Sequence, residues 1–126
     1  MHLMMQQTRP EDYVIASGNS VTVRKFIDYC FKTIGIELEF SGESEREIGT
    51  VKKITKNSSI EFKEQINHFP KVGDILIRVD SKLFRPLEVE NLEGNSLKAK
   101  NDLGWEAKTS IKDLAKEMVI SDLKNI

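Results

Sequence analysis

Residues 84–89 read Phe-Arg-Pro-Leu-Glu-Val and place an arginine three residues before a glutamate. The planar guanidinium of Arg85 carries paired N–H donors that match a diphosphate, while the carboxylate of Glu88 accepts hydrogen bonds from vicinal sugar hydroxyls. Pro86 restricts Arg85 to an extended backbone and so fixes how the pair is presented. The segment predicts binding of a phosphate together with its sugar. The alternative is a surface arginine and glutamate around a strand-ending proline.

Other kinds of chemistry lack their residues in this sequence. A dinucleotide-binding turn needs closely spaced glycines, and none of the seven glycines lie two residues apart. No tyrosine is followed four residues later by a lysine, the pair that transfers protons in many reductases. His2 and His68 lack ligand partners at helical spacing, and Cys30 lies in an apolar helix stripe. We therefore expect no catalytic, cofactor-binding or metal-binding residue here.

Length and composition bound the class of protein. A chain of 126 residues with 39% hydrophobic and 31% charged residues is typical of one globular domain, which we expect to span 1–126. The formal charge of -1 argues against a nucleic-acid partner, and the short apolar runs argue against a membrane. The lone cysteine and the lack of a secretory leader predict a cytoplasmic location.

Hydrophobic periodicity predicts the elements that position these residues. The apolar run Tyr13–Ala16 is typical of a short buried strand, a 3.6-residue period predicts a helix over 23–34, and alternation predicts a strand over 36–40. A strand-helix-strand order favours parallel pairing and an α/β fold. Residues 43–74 are interpreted as an insertion or a flap. Further predicted elements are strands at 51–54, 59–62 and 75–79 and helices at 96–103 and 111–124, which Asn95 and Ser110 would cap.

A set of short segments, taken in order, carries a family resemblance. The segments are Gln7, Pro10-Glu11-Asp12-Tyr13-Val14-Ile15-Ala16, Gly18, Val23-Arg24, Phe26, Ile34-Gly35-Ile36, Val79-Asp80, Phe84-Arg85-Pro86, Glu88-Val89, Gly94, Lys98-Ala99, Leu103-Gly104-Trp105 and Glu117-Met118-Val119. Together they resemble the carboxyl-terminal part of the GDP-mannose 4,6-dehydratase family, over nearly the whole chain. The chain departs from that family at Lys25, Leu87, Asn95 and Glu106-Ala107.

The resemblance implies a fold and a role. The fold would be the small substrate-binding portion of an extended short-chain dehydrogenase, with short strands packed on about three to four helices and without the Rossmann domain. The family converts GDP-mannose to GDP-4-keto-6-deoxymannose, with NADP on an amino-terminal domain that we expect to be absent here. Arg85 would then contact the diphosphate and Glu88 the ribose. The resemblance also implies homo-oligomers of the whole enzyme, with the missing domain as a partner.

Two other interpretations remain open at this point. In the first, the chain is the tail of another sugar-nucleotide epimerase or reductase. In the second, it is a stand-alone binding module without catalysis. In every case we expect this chain by itself to bind no NADP and to be inactive, because the dinucleotide loop and the catalytic groups are missing from its sequence.

Overall fold

The structure, a computed structural model, describes residues 1–55, 69–85 and 92–125. In these residues the elements are, in chain order, α1 (His2–Met5), α2 (Val23–Thr33), β1 (Ile36–Ser41), a short 3-10 turn (Ser44–Arg46), β2 (Ile48–Ile54), β3 (Ile75–Arg78), α3 (Leu97–Leu103) and α4 (Ile111–Lys124). The chain divides into two units. The first unit is Met1–Val21 with Val89–Ser110, and the second unit is Thr22–Glu88 with Ile111–Ile126.

Helix α2 begins and ends where its sequence provides caps. The hydroxyl of Thr22 accepts a hydrogen bond from the backbone N–H of Lys25 at 3.2 Å, which satisfies a donor of the first turn. After the helix, Gly35 adopts a φ of 76°, a left-handed conformation that glycine reaches at little cost. This residue lets the chain turn directly from α2 into β1.

The sheet of the second unit has the order β1-β2-β3, and both pairings are antiparallel. Gly49 lies in the central strand β2 between Phe40 and Ile77. A Cβ on this glycine would lie 3.0 Å from the Cβ of Ile77 and 3.1 Å from the ring of Phe40. The missing side chain therefore allows the neighbouring side chains to close over the middle of the sheet.

One face of this sheet carries the hydrophobic core of the second unit. Ile36 and Val51 are each 1% exposed, and Leu38 is buried beside them. Half-buried side chains of α2, including Ile27 and Phe31, pack on this cluster. Helix α4 packs against α2 and buries Ala115 and Leu123. Burial of apolar side chains, at about 25 cal/mol per Å², is thus the main stabilising term of the second unit.

The first unit has fewer buried apolar side chains among its described residues than the second unit. Ala99 on α3 is fully buried, and its carbonyl accepts a hydrogen bond from the N–H of Trp105 at 3.3 Å. Met1, Leu3 and Met5 of the amino-terminal segment are exposed. The fully buried apolar core of this unit is therefore small among its described residues.

The structure confirms a mixed α/β fold of short strands and helices, and it confirms the predicted helices over 23–34, 96–103 and 111–124 to within a residue or two. The predicted strand at Tyr13–Ala16 is wrong. That run forms no strand or helix, and its Val14 and Ile15 side chains are 53% and 54% exposed. The inferred parallel pairing is wrong for the same reason: without that strand, the described strands are joined as antiparallel neighbours.

The segment 43–74 is only partly described. Its residues 48–54 form the central strand β2, which includes the predicted strand 51–54. The predicted strand 59–62 lies outside the described residues, so the interpretation as an insertion or flap stays a prediction. Across the described ranges, no helix has the length and apolar character needed to cross a bilayer.

Candidate functional site

Arg85 follows a short turn that its own sequence builds. The backbone N–H of Leu83 donates to the carbonyl of Asp80 at 2.9 Å, and the Asp80 carboxylate accepts from the N–H of Lys82 at 2.9 Å. An aspartate that bonds its own backbone two residues on is a common way to fix a turn. The chain is therefore held in one path just before Arg85.

The residue before that turn is hydrogen-bonded to the residue that precedes strand β2. The N–H of Val79 donates to the carbonyl of Glu47 at 3.2 Å, which continues the pairing beyond β3. The Glu47 carboxylate in turn accepts from Arg24 Nε at 2.8 Å, and the Arg24 guanidinium lies 5.4 Å from the centre of the Phe40 ring. A charge-assisted hydrogen bond and a cation–π contact thus anchor this end of the sheet.

The two predicted site residues have different outcomes. The Arg85 side chain is exposed, next to a half-buried Phe84. Glu88 lies outside the described residues, so the structure gives no distance between the guanidinium and the carboxylate. The contact of Arg85 with a diphosphate and that of Glu88 with a ribose both stay predictions.

A second polar cluster lies in the first unit, around the ammonium of Lys98 on α3. The Lys98 Nζ donates to Oε2 of Glu11 at 2.8 Å and to the carbonyl of Asp12 at 3.1 Å. It also lies 5.0 Å from the centre of the Tyr13 ring. The hydrogen bond from Lys98 lowers the pKa of Glu11, and the same bond raises the pKa of Lys98. The Lys98 ammonium thus joins residues 11–13 to helix α3, which lies far along the sequence. We call the cluster of Glu11, Asp12, Tyr13 and Lys98 the Lys98 staple.

A close backbone approach accompanies the Lys98 staple. A Cβ on Gly94 would lie 2.5 Å from the Cβ of Ala16 and 3.4 Å from a methyl of Val14. Glycine is thus required at 94 for these two segments to pack at this distance. One residue on, Oδ1 of Asn95 accepts from the N–H of Leu97 at 3.0 Å, but the N-cap of α3 is Ser96, one residue after the predicted cap.

No local pattern in the sequence predicts the Lys98 staple. Glu11 and Lys98 are separated by 87 positions, and no local period joins them. The only signal was that both residues lie in segments that carry the family resemblance. An open cavity of about 310 Å³ lies beside the staple, and Arg9 and Asp102 contribute to its lining.

Other reactive side chains do not assemble into a site within the described part of the chain. Over 1–55, 69–85 and 92–125, no three His, Cys, Asp or Glu residues come together as a group for a metal ion. The Cys30 thiol is half-buried in α2, and burial raises its pKa. Because the thiolate is the reactive form, this environment makes Cys30 a poor nucleophile.

Comparison with known proteins identifies a single family. The family model described as GDP-mannose 4,6 dehydratase matches residues 1–118. A GDP-mannose 4,6-dehydratase of Yersinia enterocolitica is 43% identical over 122 residues, covering 97% of this chain and 31% of that protein. Its counterpart in Dictyostelium discoideum is 40% identical and covers 100% and 30%. The human protein of that name is 34% identical and covers 98% and 28%. The chain thus spans about a third of the length of these relatives.

Proposed function

This chain belongs to the GDP-mannose 4,6-dehydratase family, and we propose that it is the carboxyl-terminal, nucleotide-sugar-binding part of such an enzyme. The match over residues 1–118 carries the proposal, because it includes the Arg85 segment. The whole enzyme would convert GDP-mannose to GDP-4-keto-6-deoxymannose and would act as a homo-oligomer. The same match does not favour an epimerase or reductase tail, or a module unrelated to catalysis.

The described residues support a role in binding. Arg85 is an exposed residue directly after the turn that Asp80 fixes, so its side chain extends from a defined point of the backbone. A planar guanidinium, whose N–H donors form a fork, binds a diphosphate through paired charge-assisted hydrogen bonds. We propose that Glu88 accepts hydrogen bonds from the ribose hydroxyls of the same nucleotide. Holding GDP in this way would position the sugar for reaction, a contribution on the order of 7 kcal/mol in favourable cases.

The chemistry itself is assigned to another part of such an enzyme. NADP would supply a hydride acceptor and donor, and the glycines of this chain lack the spacing for a dinucleotide turn. The role proposed for this chain is therefore to bind and orient the nucleotide sugar. Purified chain mixed with GDP-mannose and NADP is expected to form no 4-keto sugar, and measurable product would contradict this division of roles.

Calorimetric titration of GDP into the 126-residue chain tests the binding role. Arg85→Lys keeps the charge and removes the fork, so GDP binding is expected to weaken by about 1.5 to 3 kcal/mol. Glu88→Gln keeps one acceptor and is expected to have a smaller effect, which disappears with a dideoxy analogue that lacks the ribose hydroxyls. Arg78→Lys, at an exposed arginine of β3, is the matched control. Unchanged GDP affinity in Arg85→Lys would remove Arg85 from the site.

A further inference from the structure

The side chains of residues 13–16 alternate in what they contact. Val14 and Ala16 both lie against Gly94, where a Cβ on that glycine would be 3.4 Å from a Val14 methyl and 2.5 Å from the Ala16 Cβ. Residues two positions apart share a face when the chain is extended, as in a β-strand. The contacts at Gly94 therefore indicate that this run is extended.

The intervening side chains contact helix α3 and the residues after it. The Lys98 ammonium lies 5.0 Å from the centre of the Tyr13 ring. Ile15 lines a small cavity of about 80 Å³ together with Leu103, the last residue of α3, and Trp105. The contacts thus repeat along the run with a period of two, which is the period of a strand and not of a helix.

The backbone of the same run is unpaired. Among the described residues, no N–H or carbonyl group of residues 13–16 takes part in a hydrogen bond with other backbone. In an extended chain these groups point sideways, at right angles to the side chains, and form the edge to which another strand bonds. The run therefore has the side-chain packing of a strand and lacks a neighbouring strand.

Nothing in the sequence of this run discourages pairing with another chain. Natural edge strands are protected by charged side chains, especially lysine, and by proline. Residues 13–23 contain neither a charged residue nor a proline. Val14 and Ile15 stay about half exposed in spite of their contacts, and Met1 and Met5 of the same unit are exposed as well. This unprotected apolar edge is suited to binding a second strand.

We propose that residues 13–16 form an antiparallel strand pair with the same residues of a second copy of this chain, about a twofold axis that passes at Ile15. The two Ile15 side chains then lie opposite each other, and Val14 lies opposite Ala16 of the partner subunit. Apolar and β-branched side chains in such cross-strand positions stabilise a pair, and a twofold contact uses the same edge on both copies. The inference goes beyond the proposed binding role and does not depend on it.

The charges that flank the run fit this self-pairing. Asp12 and Glu11 would lie opposite Gly18 and Asn19 of the partner subunit, so no two like charges face each other across the pair. The Glu11 carboxylate is in addition paired with Lys98 in its own chain. Because the paired segment is short, the dimer is expected to be weak and reversible.

Sedimentation of the 126-residue chain over a range of concentrations is the first test. The mass should rise from that of one chain toward twice that value between micromolar and millimolar concentration. Hydrogen exchange measured by NMR should slow over the same range at alternate amides, either 13, 15 and 17 or 14 and 16, because only alternate N–H groups face the partner strand.

A charge swap at Ile15 tests the register. Ile15→Lys and Ile15→Glu each place two like charges opposite each other, so each variant by itself is expected to stay monomeric where wild type dimerises. An equimolar mixture of the two variants places opposite charges there and is expected to regain the doubled mass. The matched control is the same swap at Leu97, which lies in the same unit and is 60% exposed against 54% for Ile15. Leu97→Lys and Leu97→Glu should each dimerise as wild type does.

Three results would overturn the proposal. The first is a wild type that stays monomeric up to millimolar concentration, which would leave this edge to a different protein. The second is a dimer that survives in Ile15→Lys, or a mixture of the two Ile15 variants that stays monomeric. The third is slowed exchange elsewhere in the chain without any slowing at 13–17. Should the Ile15 variants fail to fold, sedimentation and hydrogen exchange of the wild type decide alone.

Discussion

The two units of the chain differ in what holds them together. Of the buried apolar residues among those described, Ile36, Leu38, Val51, Ala115 and Leu123 lie in the second unit and Ala99 in the first. In the first unit the described contacts include the exposed Lys98 staple and close packing at Gly94. Apolar burial involves no titrating group and no charge for salt to screen, whereas exposed ion pairs are screened by salt and broken by protonation. The units should therefore respond differently to substitution and to solution conditions.

The largest expected effect is a truncation in the core of the second unit. Ile36→Ala removes a side chain that is 1% exposed. The free energy of unfolding of this variant should be lower than that of wild type by about 2 to 5 kcal/mol, because apolar burial is lost and a cavity remains. The same truncation in the first unit, Ile15→Ala, removes a side chain that is 54% exposed and should change stability by about 0.5 kcal/mol or less. Urea unfolding followed by circular dichroism measures both. Equal losses would remove the contrast between the units.

A smaller effect is expected at the close approach in the first unit. Gly94→Ala places a Cβ 2.5 Å from that of Ala16, so a segment has to shift, at a cost of about 1 to 3 kcal/mol. Ala16→Gly removes the opposing atom and should recover much of this loss in the double variant. Thermal melts of the two single variants and the double variant measure the coupling. Strictly additive losses would show that the contact does not limit the packing of these segments.

The smallest effect is the pH dependence of the Lys98 staple. Because the pKa of Glu11 is lowered in the folded chain, its stabilising contribution is present above the ordinary glutamate value of about 4.3 and is lost as the pH falls through the lower folded value. Wild type should therefore melt slightly above Glu11→Gln at pH 7, and the two should converge as the pH falls below the lowered pKa of Glu11. Added salt should narrow the difference at pH 7.

The core truncation serves as the control for that pH series. The loss in Ile36→Ala arises from apolar burial, so its difference from wild type should be similar at pH 7 and at pH 3 if the fold persists there. If the stability difference from wild type depends on pH in Ile36→Ala, or does not depend on pH in Glu11→Gln, the distinction between an apolar and a charged unit is contradicted.

The sequence predicted local structure better than it predicted pairing. Helix α2 depends on apolar residues within a few positions of each other, and it lies where its period predicted it. The run at Tyr13–Ala16 was misjudged because apolar and β-branched residues indicate a strand only if a partner strand lies beside them. Whether one does depends on residues far along the chain.

The two candidate clusters, the Arg85 segment and the Lys98 staple, differ in the same way in whether the sequence predicts them. Arg85 stands out because Pro86 follows it directly and Glu88 lies three residues on, so their chemistry is visible without a structure. The Lys98 staple was not visible, because Glu11 and Lys98 meet only after the chain between them has folded. Ion pairs of this kind have no period and no fixed spacing, and they are found only from coordinates.

The chain passes back and forth between the two units, and this order determines how the molecule responds to a cut in its backbone. Because the chain passes between units after residues 21, 88 and 110, neither unit is one continuous stretch. Cutting the chain after residue 88 leaves two pieces, 1–88 and 89–126, each of which carries part of both units. The two pieces would then share two sets of non-covalent contacts, the Lys98 staple in one unit and the packing of α4 on α2 in the other. Co-expressed as separate polypeptides, they should reassemble and co-purify as a complemented pair.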